Sequence, residues 1–394
     1  MLYLDHAATT PLDPAVLEAM RPYLTEHFGN ASSVHALGRR ARVAVEEARE
    51  RVAAVLGCAP AEVVFTSGGT EADNAALRGV LAGPSLAQTG RPGLVTSAAE
   101  HEAVLRTAEA LRDEGHPVTL LRPGPHGALT PAQVAEAVDA HTGLVSVMLV
   151  NNEIGTVSPV AEIAGVAHAA GALVHTDAVQ AAGLLPLDVD ALGVDLLALS
   201  GHKVYGPKGV GALFVRAGTL FQPLVRGGAQ ERRRRGGTEN VAGVVGLAEA
   251  LARAEAVREA EAARLARLQR RLAERIRAAF GDGVVFNTPL DGFHPHPYPA
   301  APHVLSVSFP PRDGQAVDGE MLLLGLDVAG VCVSSGSACT SGAVEPSHVL
   351  LALGAERATA AATVRFSLGR ATDEAAVDEA AGHLEAVVGR LRAL

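Results

Sequence analysis

The sequence predicts an α/β protein whose mainly parallel sheet is covered by helices on both faces and is followed by a second, smaller α/β unit. Three observations carry this. Short apolar runs alternate with helical patterns from residue 14 to 216, and each run ends in polar or small residues. A long stretch poor in Gly and Pro then separates that region from a third of the chain where shorter strands alternate with helices.

Taken in order, EVVFTSGG (62–69), GLVTSAAEH (93–101), LVSVMLVNN (144–152), ALVHTD (172–177) and DLLALSGHK (195–203) each read as a buried strand, and GVGALFVR (209–216) follows as another. PVAEIAGVAHAAG (159–171) is one of the helical segments between them. Ligands of such sheets sit beyond the carboxyl ends of the strands, where these polar residues gather. Residues 241–280 mix Ala, Leu, Arg and Glu and predict an exposed amphipathic helix linking two units. A Pro- and His-rich loop follows (287–303), and then strands at VLSVSF (304–309) and TVRFSLG (363–369). No internal repeat is evident.

Composition narrows the function. The chain has 394 residues, is 48% hydrophobic and 19% charged, and carries a net charge of −10, which argues against a broad nucleic-acid-binding face. The opening MLYLDHAATTPLDP lacks the basic start and apolar run of a secretion signal. Apolar runs such as 144–150 fall far short of the roughly 20 residues that span a bilayer. Cys58, Cys332 and Cys339 do not make a disulfide framework, so a cytoplasmic location is expected.

Of the 33 Lys and Arg residues only two are lysines, Lys203 and Lys208, both in SGHKVYGPKG (200–209). Arginine stays protonated, whereas a lysine amine becomes a nucleophile when burial lowers its pKa. Lys203, just past a buried strand, is therefore a candidate for covalent cofactor attachment, or else it caps a turn or pairs with a carboxylate. GPKGVG lacks the spacing of a nucleotide P-loop. Asp177 ends the strand ALVHTD, with Gln180 three residues on; a carboxylate there can keep a pyridine nitrogen protonated, or can simply cap a helix. TSGGTEADN (66–74) places two glycines before a helix that Thr70 opens, a phosphate site or a plain strand-to-helix turn. His101, at another strand end, is a candidate for stacking on a flat ring and moving protons, or else a structural histidine. Arg365, in an apolar strand, needs a partner, either an internal carboxylate or a substrate carboxylate. Cys339 lies in SSGSACTSG (334–342), a loop thiol or a nucleophile, while Cys58 and Cys332 read as small core residues. The run Arg232–Arg235 reads as a solvated loop. His294 and His296, among prolines, read as an exposed loop rather than a metal site.

As a set, YLDHAATTP (3–11), FGNASSVH (28–35), TSGGTEADN, NNEIGT (151–156), HTDAVQ (175–180), SGHKVYGPKG, GGAQERRRRGGTEN (227–240), SSGSACTSG and RFSLGR (365–370) resemble the cysteine desulfurases, of the class V aminotransferase group of pyridoxal-phosphate enzymes. The SSGSACTS form is similar to the subgroup that supplies sulfur for iron–sulfur cluster assembly and tRNA thiolation. The resemblance implies a fold-type I enzyme with a large cofactor-binding domain at 14–259. A small domain formed by 1–13 and 260–394 would carry the mobile cysteine loop at about 331–345.

The resemblance also implies roles. Lys203 would hold pyridoxal 5'-phosphate and move the α-proton, Asp177 would pair with the ring nitrogen, Gln180 would bond the ring oxygen, and His101 would stack on the ring as acid–base. Gly69, Thr70, Ser200 and His202 would hold the phosphate, joined by Thr238 of a second subunit. Asn152 would contact cofactor and substrate, Arg365 the substrate carboxylate, and Cys339 would accept sulfur as a persulfide while L-cysteine becomes L-alanine. Expected partners are a second copy of the chain and a sulfur acceptor or iron–sulfur scaffold protein, with no direct nucleic acid, membrane or metal. A selenocysteine lyase or another class V aminotransferase would share the cofactor residues, and a non-catalytic assembly scaffold would share the fold.

Overall fold

The computed structural model describes residues 1–83, 88–293, 296–312, 314–336 and 345–393. Among them a seven-stranded sheet runs in the order β2 (Val63–Thr66), β8 (Gly211–Val215), β7 (Leu196–Ser200), β6 (Leu173–Asp177), β5 (Thr142–Ser146), β3 (Gly93–Ser97), β4 (Val118–Leu121). Every neighbouring pair is parallel except those made by β8, which runs antiparallel to β7 and β2. VTLL (118–121), a four-residue apolar run that the sequence reading did not single out, forms an edge strand whose residues are all partly buried or exposed.

Strict alternation explains why both faces are covered. Val63, Phe65, Val145, Leu197 and Phe214 point into one apolar cluster, and Val64, Leu144, Leu196, Ala198 and Leu213 point into another on the opposite face. Helices α1 (Pro14–Thr25), α2 (Ala36–Leu56) and the first half of a helix over Val241–Phe280 pack on the first face, and α3 (Gly69–Leu81) packs on the second.

The Val241–Phe280 helix begins where the Asn240 side chain accepts the Gly243 N–H at 3.0 Å and stops at Gly281, which has φ 53°. It is less exposed than its composition implied. Ala242 to Ala254 contribute to the core of the large sheet, and Leu265, Leu268, Leu272 and Ile276 contribute to a separate cluster in the C-terminal region. That second cluster packs on an antiparallel sheet of β12 (Thr363–Ser367), β10 (Val304–Ser308) and β9 (Val285–Phe286). The chain's beginning joins it, since β1 (Leu2–Tyr3) pairs in parallel with β11 (Val331–Cys332) and Leu4 is buried in the same cluster. The Pro-rich loop also adheres to the large unit: Val157 N–H donates to Pro299 O at 3.0 Å. No described helix is long and apolar enough to cross a membrane.

Candidate active site

The carboxyl ends of β2, β3, β6 and β7 open onto one cavity of about 430 Å³. Its wall includes Gly69, Thr70, His101, Asn152, Asp177, Gln180, Ser200, His202, Lys203 and Arg365, ten positions drawn from six sequence segments.

Lys203 ends the single helical turn Gly201–Lys203 that follows β7. Gly201 is needed there because a Cβ would come within 2.9 Å of Pro207 O. Tyr205 has φ 63°, a conformation a bulky residue adopts only under constraint. The constraint is visible: Tyr205 Oη accepts the Arg370 N–H at 2.7 Å, the Arg370 guanidinium lies 4.1 Å from the ring centroid, and its Nη1 pairs with Asp13 at 2.8 Å. This clamp aims the Lys203 amine at the N-terminal segment, where it donates to Ala7 O and, at 2.8 Å, to Ala8 O. Burial and the nearby Arg365 lower the Lys203 pKa to about 8, against the pull of Asp177 and Asp5.

Asp177 caps no helix. Its Oδ1 accepts the Val179 N–H at 2.9 Å within a turn. Burial raises its pKa, and His101 and Lys203 act in the opposite direction. Gln180 is already engaged, donating to Ala7 O at 2.9 Å and lying 3.3 Å from His303 Nε2. His101 caps the helix Glu102–Asp113 through Nδ1, which accepts the Ala103 N–H at 3.1 Å. The neutral ring therefore carries its proton on Nε2 and offers a donor from this conformation.

At the other end of the cavity, α3 begins at Gly68 without any side-chain cap, so its first backbone N–H groups are not met by a side chain. Thr70, Ser200 and His202 stand beside it. His202 Nδ1 lies 3.1 Å from Thr9 Oγ1, and burial, with Lys203 and Lys208 nearby, lowers its pKa to about 4.

Arg365 resolves the choice posed by its strand toward an internal pair while still facing the cavity. It pairs with Asp5 at 3.0 Å and donates to Asn152 O at 2.8 Å, and its Nε has no partner. Asn152 Oδ1 is likewise buried without a partner.

One expected site residue is not among the described residues that wall this cavity. Thr238 is exposed in a neighbouring cleft with Ser67, Gly209 and Arg235. Cys339 lies outside the described residues, as does His294. Several wall residues escaped the sequence reading. Ala7 and Ala8 are backbone acceptors, for which no side chain could signal. Asp73, one turn into TSGGTEADN, is 1% exposed, and its carboxylate oxygen, one from Asp177 and a His101 ring nitrogen all lie within 4.8 Å of one another. Cys58 and Cys332 are only half-buried, and burial pushes the Cys58 thiol up to about 12. The run Arg232–Arg235 is solvated at Arg232 and Arg233 and also tethered, with Arg232 on Glu46 at 3.0 Å and Arg235 on Glu71 at 3.0 Å.

Residues 2–379 match the family described as Aminotransferase class-V, and the chain belongs to that family. Its relatives carry more particular names. The "Putative cysteine desulfurase IscS 1" of Bacillus subtilis is 46% identical over 394 residues, covering 99% of each chain. A solved "NIFS-LIKE PROTEIN" superposes with a TM-score of 0.88 at 35% identity over 99% of both chains. The structure titled "SspA in complex with cysteine" aligns with a TM-score of 0.79 at 36% identity, over 93% of this chain and 99% of that one.

Proposed function

We infer that this chain is a cysteine desulfurase that uses pyridoxal 5'-phosphate to convert L-cysteine to L-alanine and passes the sulfur onward through Cys339. One observation carries the reading: one of the two lysines in the sequence, partly buried with its pKa lowered to about 8, faces a buried carboxylate across a cavity that ends on an uncapped helix N-terminus.

The residues fit the cofactor. The bare N-terminus of α3 with Thr70, Ser200 and His202 suits a phosphate, and Asp177, buried and short of a cation, suits a protonated ring nitrogen. Unpartnered Asn152 Oδ1 and Arg365 Nε supply polar contacts that protein groups leave unused. When bound, pyridoxal phosphate supplies an aldehyde and an electron-withdrawing ring that stabilises negative charge at the substrate Cα.

The chain's own groups do the rest. Lys203, with an amine that is partly unprotonated near neutral pH, takes and returns the Cα proton. Arg365 turns its planar fork from Asp5 to the substrate carboxylate. His101 donates a hydrogen bond through Nε2 from its present conformation, and to accept the thiol proton its Nδ1 must leave the Ala103 N–H. Cys339, as thiolate, attacks the substrate sulfur; the S–S bond forms as the C–S bond breaks, and the carbon skeleton gains a proton and leaves as alanine. Gly336 lines the cavity, and three extended residues reach at most about 10–11 Å, which puts Cys339 within range of it. The working form is a homodimer in which Thr238 of the partner subunit adds to the phosphate site, and the sulfur acceptor is a second protein.

Alanine and persulfide measured together test this. The wild-type chain loaded with pyridoxal phosphate should release alanine from cysteine and carry a persulfide, Cys339→Ala should bind cofactor but form none, and Lys203→Ala should do neither. Persulfide on the Cys339→Ala chain would remove that thiol from the reaction.

A further inference from the structure

Behind Asp177 the cavity wall holds a second carboxylate that the reaction above does not use. Asp73, on α3, and Asp177, at the end of β6, lie within 4.8 Å of each other, and both are buried. Two carboxylates so close and so dry do not ionise together, since each charge disfavours the other in a low-dielectric site.

The surroundings decide which one is charged. Asp177 accepts the Val179 N–H at 2.9 Å and faces His101 and Lys203. Among the described residues Asp73 Oδ1 accepts no hydrogen bond, and the carboxyl groups near it are Asp177 and Glu100, the latter receiving Met148 N–H on both oxygens at 3.0 and 3.1 Å. A His101 ring nitrogen lies within 4.8 Å of a carboxylate oxygen of both Asp73 and Asp177 and so does not tell the two apart, and the other ring beside Asp73 is His175 on β6, whose Nε2 is 3.5 Å away and whose Nδ1 meets Ser146 Oγ at 2.9 Å. That ring is wholly enclosed; burial lowers its pKa to about 3, so it brings Asp73 no positive charge.

We propose that Asp73 is a positioning residue that holds a proton of its own, so that the negative charge of the pair resides on Asp177, facing the cavity. Resting on the cofactor reading, this gives Asp177 an undivided charge for a ring cation, while the neutral Asp73 carboxyl fills the space behind it at no like-charge cost. Burial, with Asp177 and Glu100 close by, raises the Asp73 pKa well above its ordinary value, in the same direction.

The test uses the full chain without cofactor, in which Lys208→Arg leaves Lys203 as the single lysine. Infrared spectra at pH 7 should show a protonated-carboxyl band that moves on 13C-aspartate labelling and vanishes in Asp73→Asn. Labelling of the Lys203 amine should keep its wild-type pH midpoint in Asp73→Asn, because a neutral group has replaced a neutral group. Absence of the band from the wild type, its survival in Asp73→Asn, or a lowered lysine midpoint overturns the proposal. Asp73→Ser serves in the same way where the Asn chain does not fold. A chain that shows the band yet fails to bind pyridoxal phosphate would instead overturn the cofactor reading alone.

Discussion

At the scale of single residues, Lys203 gives the sharpest expectation. Its pKa of about 8 lies well below the ordinary lysine value of 10.5, so the folded chain sheds this proton first. Between about pH 8 and 10.5 the unfolded chain binds more protons at this site, and the site's contribution to stability rises with pH across that window; below pH 8 the cost of the buried cation is fully present. In the Lys208→Arg chain, reductive labelling of Lys203 with pyridoxal phosphate should be half-maximal near pH 8, and a midpoint near 10.5 would mean the amine is not desolvated. Arg365 gives a second. Its donors are arranged in one plane around Asp5 and Asn152, a geometry an ammonium cannot copy. Arg365→Lys should raise KM for cysteine by about 10- to 100-fold, the loss of a charged hydrogen bond worth roughly 1.5–3 kcal/mol. Steady-state kinetics with an unchanged KM would detach Arg365 from the substrate.

At the scale of elements, the most consequential joint is one that the sequence hides. Glu231 follows Gly- and Ala-rich residues in a loop, has φ 47°, and reaches back 182 positions to Arg49 on α2, meeting its two terminal nitrogens at 2.7 and 2.9 Å and accepting the Phe65 N–H at 2.9 Å. Burial alone would lower the Arg49 pKa, but the Glu231 contacts more than offset it. Glu231→Gln leaves the buried guanidinium with only the more exposed Glu46, 3.4 Å from its Nε, as counter-charge and should cost about 3 kcal/mol, read by denaturant unfolding. Alternation made the sheet strands legible because each buries both faces, and the absence of breakers made Val241–Phe280 legible. The same reasoning missed β4, whose apolar run VTLL is only four residues long and lies at an edge, and the tethers of the Arg232–Arg235 run, whose partners Glu46 and Glu71 are distant in sequence. The site was legible where chemistry depends on side-chain type, as at Lys203, Asp177 and His101. It was illegible where backbone atoms do the work, as at Ala7 and Ala8, or where a carboxylate is notable only for its neighbours, as at Asp73.

At the scale of the whole molecule, one chain leaves two things unmatched. Thr238 is exposed in a cleft beside, not within, the cavity, and the stretch from α1 into α2 presents Leu24, Phe28, Val34 and Val43 at 60%, 73%, 88% and 53% exposure. Isolated exposed apolar residues are ordinary, but four within twenty positions, two of them in FGNASSVH, form a surface that water solvates poorly. In the proposed homodimer a second copy of the chain would account for both, burying the apolar segment and delivering Thr238 to the neighbouring phosphate site. The purified chain should therefore behave as a dimer in light scattering. The double change Phe28→Asp and Val34→Asp puts two charges into the joint and should give monomers, because a buried unpaired carboxylate costs more than either apolar contact supplies. Those monomers should also hold pyridoxal phosphate more weakly, since they lack the partner's Thr238, and absorbance titration reads that loss. Monomers that keep wild-type cofactor affinity would separate assembly from the site and return Thr238 to the surface of its own chain.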